Sequence, residues 1–383
     1  MNVAIRPFRI EIDAQAQQDL QTRLERTRLP ESETVDDWSQ GVPLAYAKEF
    51  LTYWIEEYNW TQREDYFNSF PQYLAEVDGI DIHFIHVRST HEHARPLLMT
   101  HGWPGSVVEF HKVLKPLTQP ELFGGSAEQA FHVVCPSLPG YGFSGKPTTS
   151  GWGVTHIAQV WDELMVALGY STYVAQGGDW GSAVTTAIGL QDRGHCSAIH
   201  VNMPNAGAPK SALADPDDAD KRALAGARYY QQWGAGYSKQ QSTRPQTLGY
   251  GLVDSPMGQA MWILEKFYEW TDCNGHPENV LTKDELLDNI AFYWWQGNGA
   301  SSARLYWESF GSAFGGDAKA QVNLPTGCTI FPKEIVPTPR KWAEQRYANI
   351  AYWNEVDRGG HFAAFEQPEL FVEELRKCFS EIV

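Results

Sequence analysis

Three short segments of this chain hold residues able to form and break covalent bonds. The run Gly177-Gly178-Asp179-Trp180-Gly181 follows the apolar stretch 173–175 and precedes a helix-prone segment. That is the small-x-nucleophile-x-small frame of a strand-to-helix elbow, where small residues let the backbone turn sharply and hold the middle side chain above a sheet. Here that side chain is an aspartate, not a serine, and the difference selects the chemistry. A serine alkoxide attacking a saturated carbon leaves an ether that water does not cleave, whereas a carboxylate leaves an ester that a second step can hydrolyse. The carboxylate is already ionised at neutral pH and needs no base for its own attack. Taken alone, the pentapeptide fits a surface aspartate in a glycine-rich turn rather better.

The second segment is His101-Gly102-Trp103-Pro104-Gly105, after the apolar run 96–100 and before Ser106, which is expected to cap a helix together with Glu109. A loop in this place supplies one backbone N–H to an oxyanion hole, and the residue after the nucleophile supplies the other. The donors would be the N–H groups of Trp103 and Trp180. An ordinary strand–turn–helix junction fits this segment equally well. The third is Arg358-Gly359-Gly360-His361-Phe362, where two glycines give a histidine the exposure and backbone freedom that a general base needs. An acid must orient that histidine. Glu334, after the strand-like run ending at Pro332, is preferred over Asp357 and Glu355, which lie too close in sequence to reach the far ring nitrogen. The chain order is then nucleophile, acid, histidine: Asp179, Glu334, His361.

The elements that must position these groups can be read from periodicity. Phe8, Ile10 and Ile12 alternate as in a strand, and Leu20 and Leu24 sit one turn apart on a helix capped by Asp13 and ended by Pro30. A second helix over about 43–58 places Leu44, Ala47, Leu51, Trp54, Ile55 and Tyr58 on one face, and Thr61 with Glu64 makes a capping box for a third. Asp78-Gly79 joins two strand-like runs, 73–77 and 80–87, as a two-residue hairpin turn. Strands at 96–100, 131–138, 172–176 and 198–203 then alternate with helices at 106–117, 155–168 and 182–191, the pattern of a mostly parallel sheet covered on both faces. A helix-compatible, aromatic-rich stretch separates the sixth of these core strands from a seventh at 328–332. A last strand over 349–356 and a C-terminal helix from about Pro368 complete an α/β core with an N-terminal helical arm and a helical insertion.

Composition excludes several classes. The chain has 383 residues, 43% hydrophobic and 20% charged, and a net charge of −17, so it is a folded protein whose acidic surface repels nucleic acid. It shows no signal-peptide h-region, no membrane anchor and no apolar run long enough to span a bilayer. Five scattered cysteines without C-x-x-C spacing argue against a disulfide framework and for a cytoplasmic setting. Gly140-Tyr141-Gly142-Phe143-Ser144-Gly145 matches G-x-G-x-x-G, but the residues after it cannot open a helix, so no dinucleotide site is expected. His83, His86, His91, His93 and His101 are read as solvated side chains and not as metal ligands.

Phe8-Arg9-Ile10, His101-Gly102-Trp103-Pro104-Gly105-Ser106, Pro139-Gly140-Tyr141-Gly142-Phe143-Ser144, Gln176-Gly177-Gly178-Asp179-Trp180-Gly181 and Arg358-Gly359-Gly360-His361-Phe362 resemble the microsomal-type epoxide hydrolase family over nearly the whole chain. Ser69-Phe70-Pro71-Gln72 and Asp81-Ile82-His83-Phe84-Ile85-His86 are similar to its N-terminal domain. The run from Gln241 to Leu252, with Asp254-Ser255-Pro256, is similar to its cap. The resemblance implies an α/β-hydrolase fold with a mostly parallel sheet, an N-terminal extension over residues 1–75, a core over 76–204 and 321–383, and a helical cap over 205–320. It implies an apolar epoxide and water as substrates, no cofactor and no metal, and it allows a homodimer. It also implies two cap tyrosines that donate to the epoxide oxygen, Tyr237 and Tyr306 by their place in the motifs, among the other cap tyrosines Tyr229, Tyr230, Tyr250, Tyr268 and Tyr293. The absence of an anchor ahead of the arm points to the bacterial or fungal type. Two alternatives stand beside this reading: a haloalkane dehalogenase, which uses the same nucleophile and holds halide with side-chain N–H groups, and a binding protein on an inactivated scaffold.

Overall fold

Asp78 and Gly79 both adopt positive φ, 47° and 80°, and close a tight hairpin in which Val77 faces Ile80. This is the left-handed pair that a type I′ turn demands. The hairpin joins two of nine strands in the computed structural model, which describes residues 3–314 and 320–383. The strands are β1 (Ile5–Phe8), β2 (Gln72–Val77), β3 (Ile80–Val87), β4 (Arg95–Thr100), β5 (Phe131–Pro136), β6 (Tyr173–Gly177), β7 (Cys196–Val201), β8 (Thr326–Ile330) and β9 (Ile350–Glu355). They form one sheet in the order β1-β2-β3-β5-β4-β6-β7-β8-β9. β1, β2, β3 and β5 pair antiparallel, and every pair from β5 through β9 is parallel. β6 and β8 are buried along their whole length, as strands covered on both faces are.

Two registers matter for chemistry. Thr100 at the end of β4 pairs with Gly177 at the end of β6, so the His101–Gly105 loop and the Asp179 elbow leave the sheet side by side. Ile330 pairs with Glu355, and beyond them Lys333 bridges Gly360, which carries Glu334 and His361 to the same edge. Ligand sites in such sheets lie outside the carboxyl ends of the strands.

Several local expectations differ from the structure. β1 ends at Phe8; the N–H groups of Ile10 and Ile12 are taken by the side chains of Asn68 and Glu64 instead of a neighbouring strand. The first helix, Ala14–Glu25, is capped by Asp13 but ends before Pro30. In the second, Leu44–Glu56, the buried face is Tyr46, Ala47, Phe50 and Trp54, rotated from the expected stripe so that Leu51 and Ile55 are half-buried. Asn59, not Thr61, caps the third helix, Trp60–Phe67, while Glu64 accepts from the Trp60 indole. The segment after His101–Gly105 breaks into a 3-10 turn, Val107–Phe110, and a short helix, Leu114–Thr118; Ser106 accepts from Val108 N–H, and no capping box with Glu109 forms. After Gly145 the next helix begins only at Val154. His83, His86 and His101 are buried, not solvated: His83 bonds Ser137 and Gln72, and His86 bonds Tyr170.

Between β7 and β8 the chain is helical, and the N-terminal arm packs on that helical layer. Arg23 reaches Asp254, the hydroxyls of Tyr46, Tyr53 and Tyr58 donate to Glu278, Asp284 and Asp288, and Arg63 forms a two-pronged pair with the fully buried Asp288. Residues 315–319, within the span expected for the cap, lie outside the described residues. No helix among those described is long and apolar enough to cross a membrane. All five cysteines are buried and unpaired. Burial pushes the thiols of Cys135, Cys196, Cys328 and Cys378 well up from their ordinary value.

Candidate active site

Asp179 opens the helix Asp179–Gln191 with φ of +48°, a left-handed conformation costing a non-glycine residue about 1–2 kcal/mol. Its surroundings admit no larger neighbours. A Cβ on Gly181 would sit 1.8 Å from the Thr100 carbonyl oxygen, and one on Gly102 would sit 2.1 Å from Asp179 Oδ1. The glycines thus let the elbow and the preceding loop touch, and Trp103 N–H donates to Asp179 Oδ1 at 2.7 Å. Trp180 is the second residue of the helix, so its N–H has no intrahelical acceptor and is free to face the same oxygen.

The other carboxylate oxygen, Oδ2, lies 3.4 Å from His361 Nε2, and His361 Nδ1 lies 2.6 Å from Glu334 Oε1. The structure thus brings Asp179, His361 and Glu334 together. Asp357 pairs with Arg358 in solvent, and Glu355 accepts from the Trp353 indole, so neither competing acid reaches the ring. Lys333 N–H bonds the Gly359 carbonyl, His361 N–H bonds the Trp270 carbonyl, and Gly359 N–H bonds Asp272, which ties the histidine loop to both the acid loop and the helical layer. Burial works to lower the His361 pKa, but the Glu334 charge and the bonds to Asp179 and Glu334 outweigh it and hold the imidazolium well above its ordinary value.

Above Asp179 opens a cavity of about 750 Å³ lined by it, Tyr230, Tyr237, Tyr306 and mostly apolar side chains such as Leu224, Phe310 and Val336. Tyr237 follows a π-helical turn, Tyr230–Gly234, and lies flat on the Trp103 indole, ring centroids 4.6 Å apart. Tyr306, on the helix Gly299–Phe314, stands edge-on to Tyr237 and Trp180. Its hydroxyl is buried without a hydrogen-bond partner among the described residues; the Tyr237 hydroxyl accepts a long bond from Tyr230. Burial keeps both phenols well above their usual pKa, with neighbouring tyrosines and the Asp179 charge adding to it, so both hold their protons. Of the decoys, Tyr229 and Tyr250 are exposed, Tyr268 stacks on Trp38, and Tyr293 donates to the Gly105 carbonyl. Among the described residues no three His, Cys, Asp or Glu side chains are grouped to hold a metal.

Sequence reasoning missed three groups here. Trp270 packs on the imidazole, Glu366 accepts from Asp272 N–H behind the loop, and Glu109 turns toward Asp179 and His361. None stands in a motif of its own; only the fold brings them in.

Comparison with known proteins agrees with this architecture. Residues 5–110 match the family model described as epoxide hydrolase N terminus, and residues 95–250 match that of the alpha/beta hydrolase fold. The chain is 53% identical over 99% of its length to a "Putative epoxide hydrolase" of Stigmatella aurantiaca, covering 85% of that protein. It is 36% identical over 98% of its length to epoxide hydrolase 1 of Oryctolagus cuniculus, covering 88% of it. The crystal structure of juvenile hormone epoxide hydrolase from Bombyx mori superposes with a TM-score of 0.91 at 31% identity, over 99% of this chain and 95% of that one. An elbow carboxylate, a histidine–glutamate pair and relatives aligned almost end to end place this chain in the epoxide hydrolase family, as a hydrolase of the α/β-hydrolase fold.

Proposed function

We propose that the protein converts an apolar epoxide and water to a vicinal diol through an ester on Asp179. The observation carrying this reading is the pairing, in one cavity, of an elbow carboxylate with the buried, unpartnered hydroxyl of Tyr306. Asp179 Oδ1 is engaged by Trp103 N–H, which leaves Oδ2 to attack an epoxide carbon. As the new C–O bond forms, the ring C–O bond breaks, and the alkoxide takes a proton from Tyr306 or Tyr237. Such positioned acids are worth about 10²–10⁴ in rate. A hydroxyalkyl ester results.

In the second step His361, oriented by Glu334, takes a proton from water, and the hydroxide attacks Cγ of the ester. Charge develops on Oδ1, where the N–H groups of Trp103 and Trp180 meet it. The Cγ–O bond to the alkyl group then breaks, the departing alkoxide takes the proton of the re-formed carboxylic acid, the imidazolium returns its proton to the tyrosinate, and the diol leaves with an oxygen that came from Asp179. Nucleophile, acids and base are all side chains. The dehalogenase reading draws on the buried indole N–H of Trp180, which has no partner among the described residues. Against it, the Trp103 and Trp180 indoles do not line the large cavity, whereas both tyrosines do.

The test is the intact mass of a His361→Gln variant incubated separately with styrene oxide and a bromoalkane. Retained attack with blocked hydrolysis predicts a gain equal to the whole epoxide, mapping to Asp179. A gain of alkyl without halide, from the bromoalkane alone, would make the enzyme a dehalogenase. No adduct from any epoxide on folded protein would end the ester mechanism.

A further inference from the structure

Beside Asp179, which also lines the large cavity, lies a second void of about 20 Å³. A single water needs about 10–15 Å³ and two to four polar partners. This void is lined by Thr100, Glu109, Gln176, Asp179, Asn202 and His361, so its wall holds both reacting side chains of the second step. Gln176 Oε1 is buried with no hydrogen-bond partner among the described residues, and His361 Nε2 meets only the Asp179 carboxylate, in an ion pair of 3.4 Å that an ester on Asp179 would remove. The Gln176 amide is already oriented, because its N–H donates to Asn202 Oδ1 at 2.9 Å. The Glu109 carboxyl folds back over Gly105, where it would collide with any Cβ, at 1.4 Å. It makes no capping box with Ser106, and it lines the void.

We propose that this void holds the water that hydrolyses the ester, and that Glu109 and Gln176 are its positioning residues. The inference rests on the Asp179 ester reading and names what that reading leaves open, namely how one water is aimed at Cγ. The four tetrahedral directions of the water are then all assigned. One proton goes to Gln176 Oε1 and the other to His361 Nε2; one lone pair accepts from the Glu109 O–H, and the second faces Cγ of Asp179. The assignment needs a protonated Glu109. Burial raises its carboxyl to about 8, the His361 charge opposing and the Asp179 charge adding to the rise, so the proton is present at neutral pH. Glu109 never bonds to the epoxide; it acts only through the water it orients.

The two chemical steps separate the proposal from a structural role. Rapid-quench mass spectrometry with styrene oxide gives the rates of ester formation and ester hydrolysis in one single-turnover experiment. For Glu109→Leu we expect ester formation within about threefold of wild type and hydrolysis slower by about 10²-fold, the loss that misplacing a reacting group brings. Glu109→Gln, whose amide can still donate, should recover hydrolysis to within about fivefold. Equal slowing of both steps, unchanged hydrolysis in Glu109→Leu, or hydrolysis in Glu109→Gln as slow as in the leucine variant would overturn the proposal. If Glu109→Leu does not fold, Gln176→Leu must show the same split between steps, and wild-type hydrolysis there overturns it. If neither leucine variant folds, the glutamine variant decides by the same fivefold limit. An ester absent even in His361→Gln is a different outcome: it removes the Asp179 reading, and this proposal falls with it.

Discussion

The imidazole of His361 sits between two carboxylates, Glu334 at 2.6 Å and Asp179 at 3.4 Å. With both charged, the ring stays protonated well above its ordinary value and is no base. In the proposed mechanism, ester formation would remove the Asp179 charge, and the ring would then release its proton more readily at the step that requires a base. The same loss makes the phenols of Tyr237 and Tyr306 better acids while the alkoxide is forming. Asp179→Asn mimics the neutralised state, and we expect the His361 titration, followed by imidazole NMR, to move to lower pH; an unmoved or raised midpoint would show that Asp179 does not set the protonation of the ring. That Asp179, Glu334 and His361 would meet was legible because the first and last stand among glycines after a strand and Glu334 follows the strand before the histidine's. Tyr237 and Tyr306 came through resemblance alone, since nothing in a cap tyrosine's own neighbours distinguishes it from Tyr293. Glu109 was misplaced, because its spacing from Ser106 imitates a helix cap, whereas in the fold no capping box forms and the side chain lines the void beside Asp179.

At the level of elements, the strands of the parallel sheet were legible to within a few residues, because short apolar-rich runs alternate with helical stretches along the chain. The arm was read less well. Its first strand stops where side chains of Asn68 and Glu64 replace strand partners, an exchange that alternation cannot reveal. Among the contacts that hold the arm down is the ion pair of Arg63 with Asp288. Burial pushes the Asp288 carboxyl up to about 6 in spite of the guanidinium, so the pair is desolvated and each partner depends on the other. Arg63→Ala should therefore destabilise the fold by about 3 kcal/mol in urea unfolding, because it leaves a buried charge alone. Asp288→Asn added to it should recover most of that loss, and a single variant as stable as wild type would show the pair to be neutral.

For the molecule as a whole, the helical layer between β7 and β8 does two jobs: it roofs a cavity of about 750 Å³ and supplies both tyrosines. That volume suits an apolar ligand of drug size. Filling it from the wall should discriminate by length. In Ala208→Trp we expect kcat/KM for a long-chain epoxide to fall by about tenfold or more, while that for styrene oxide stays within about threefold. An equal fall for both would mean that Ala208 borders the reacting centre itself.

The burial of all five thiols has a further consequence for an enzyme whose substrates are electrophiles. Epoxides alkylate thiolates irreversibly, and the thiolate, not the thiol, is the attacking form. Four of these thiols are held in the protonated state, and all five are walled off from solvent. In the proposed mechanism an epoxide meets Asp179 instead, and the ester formed there is one that water undoes. On that reading, burying the thiols spares the enzyme irreversible alkylation by its own substrate.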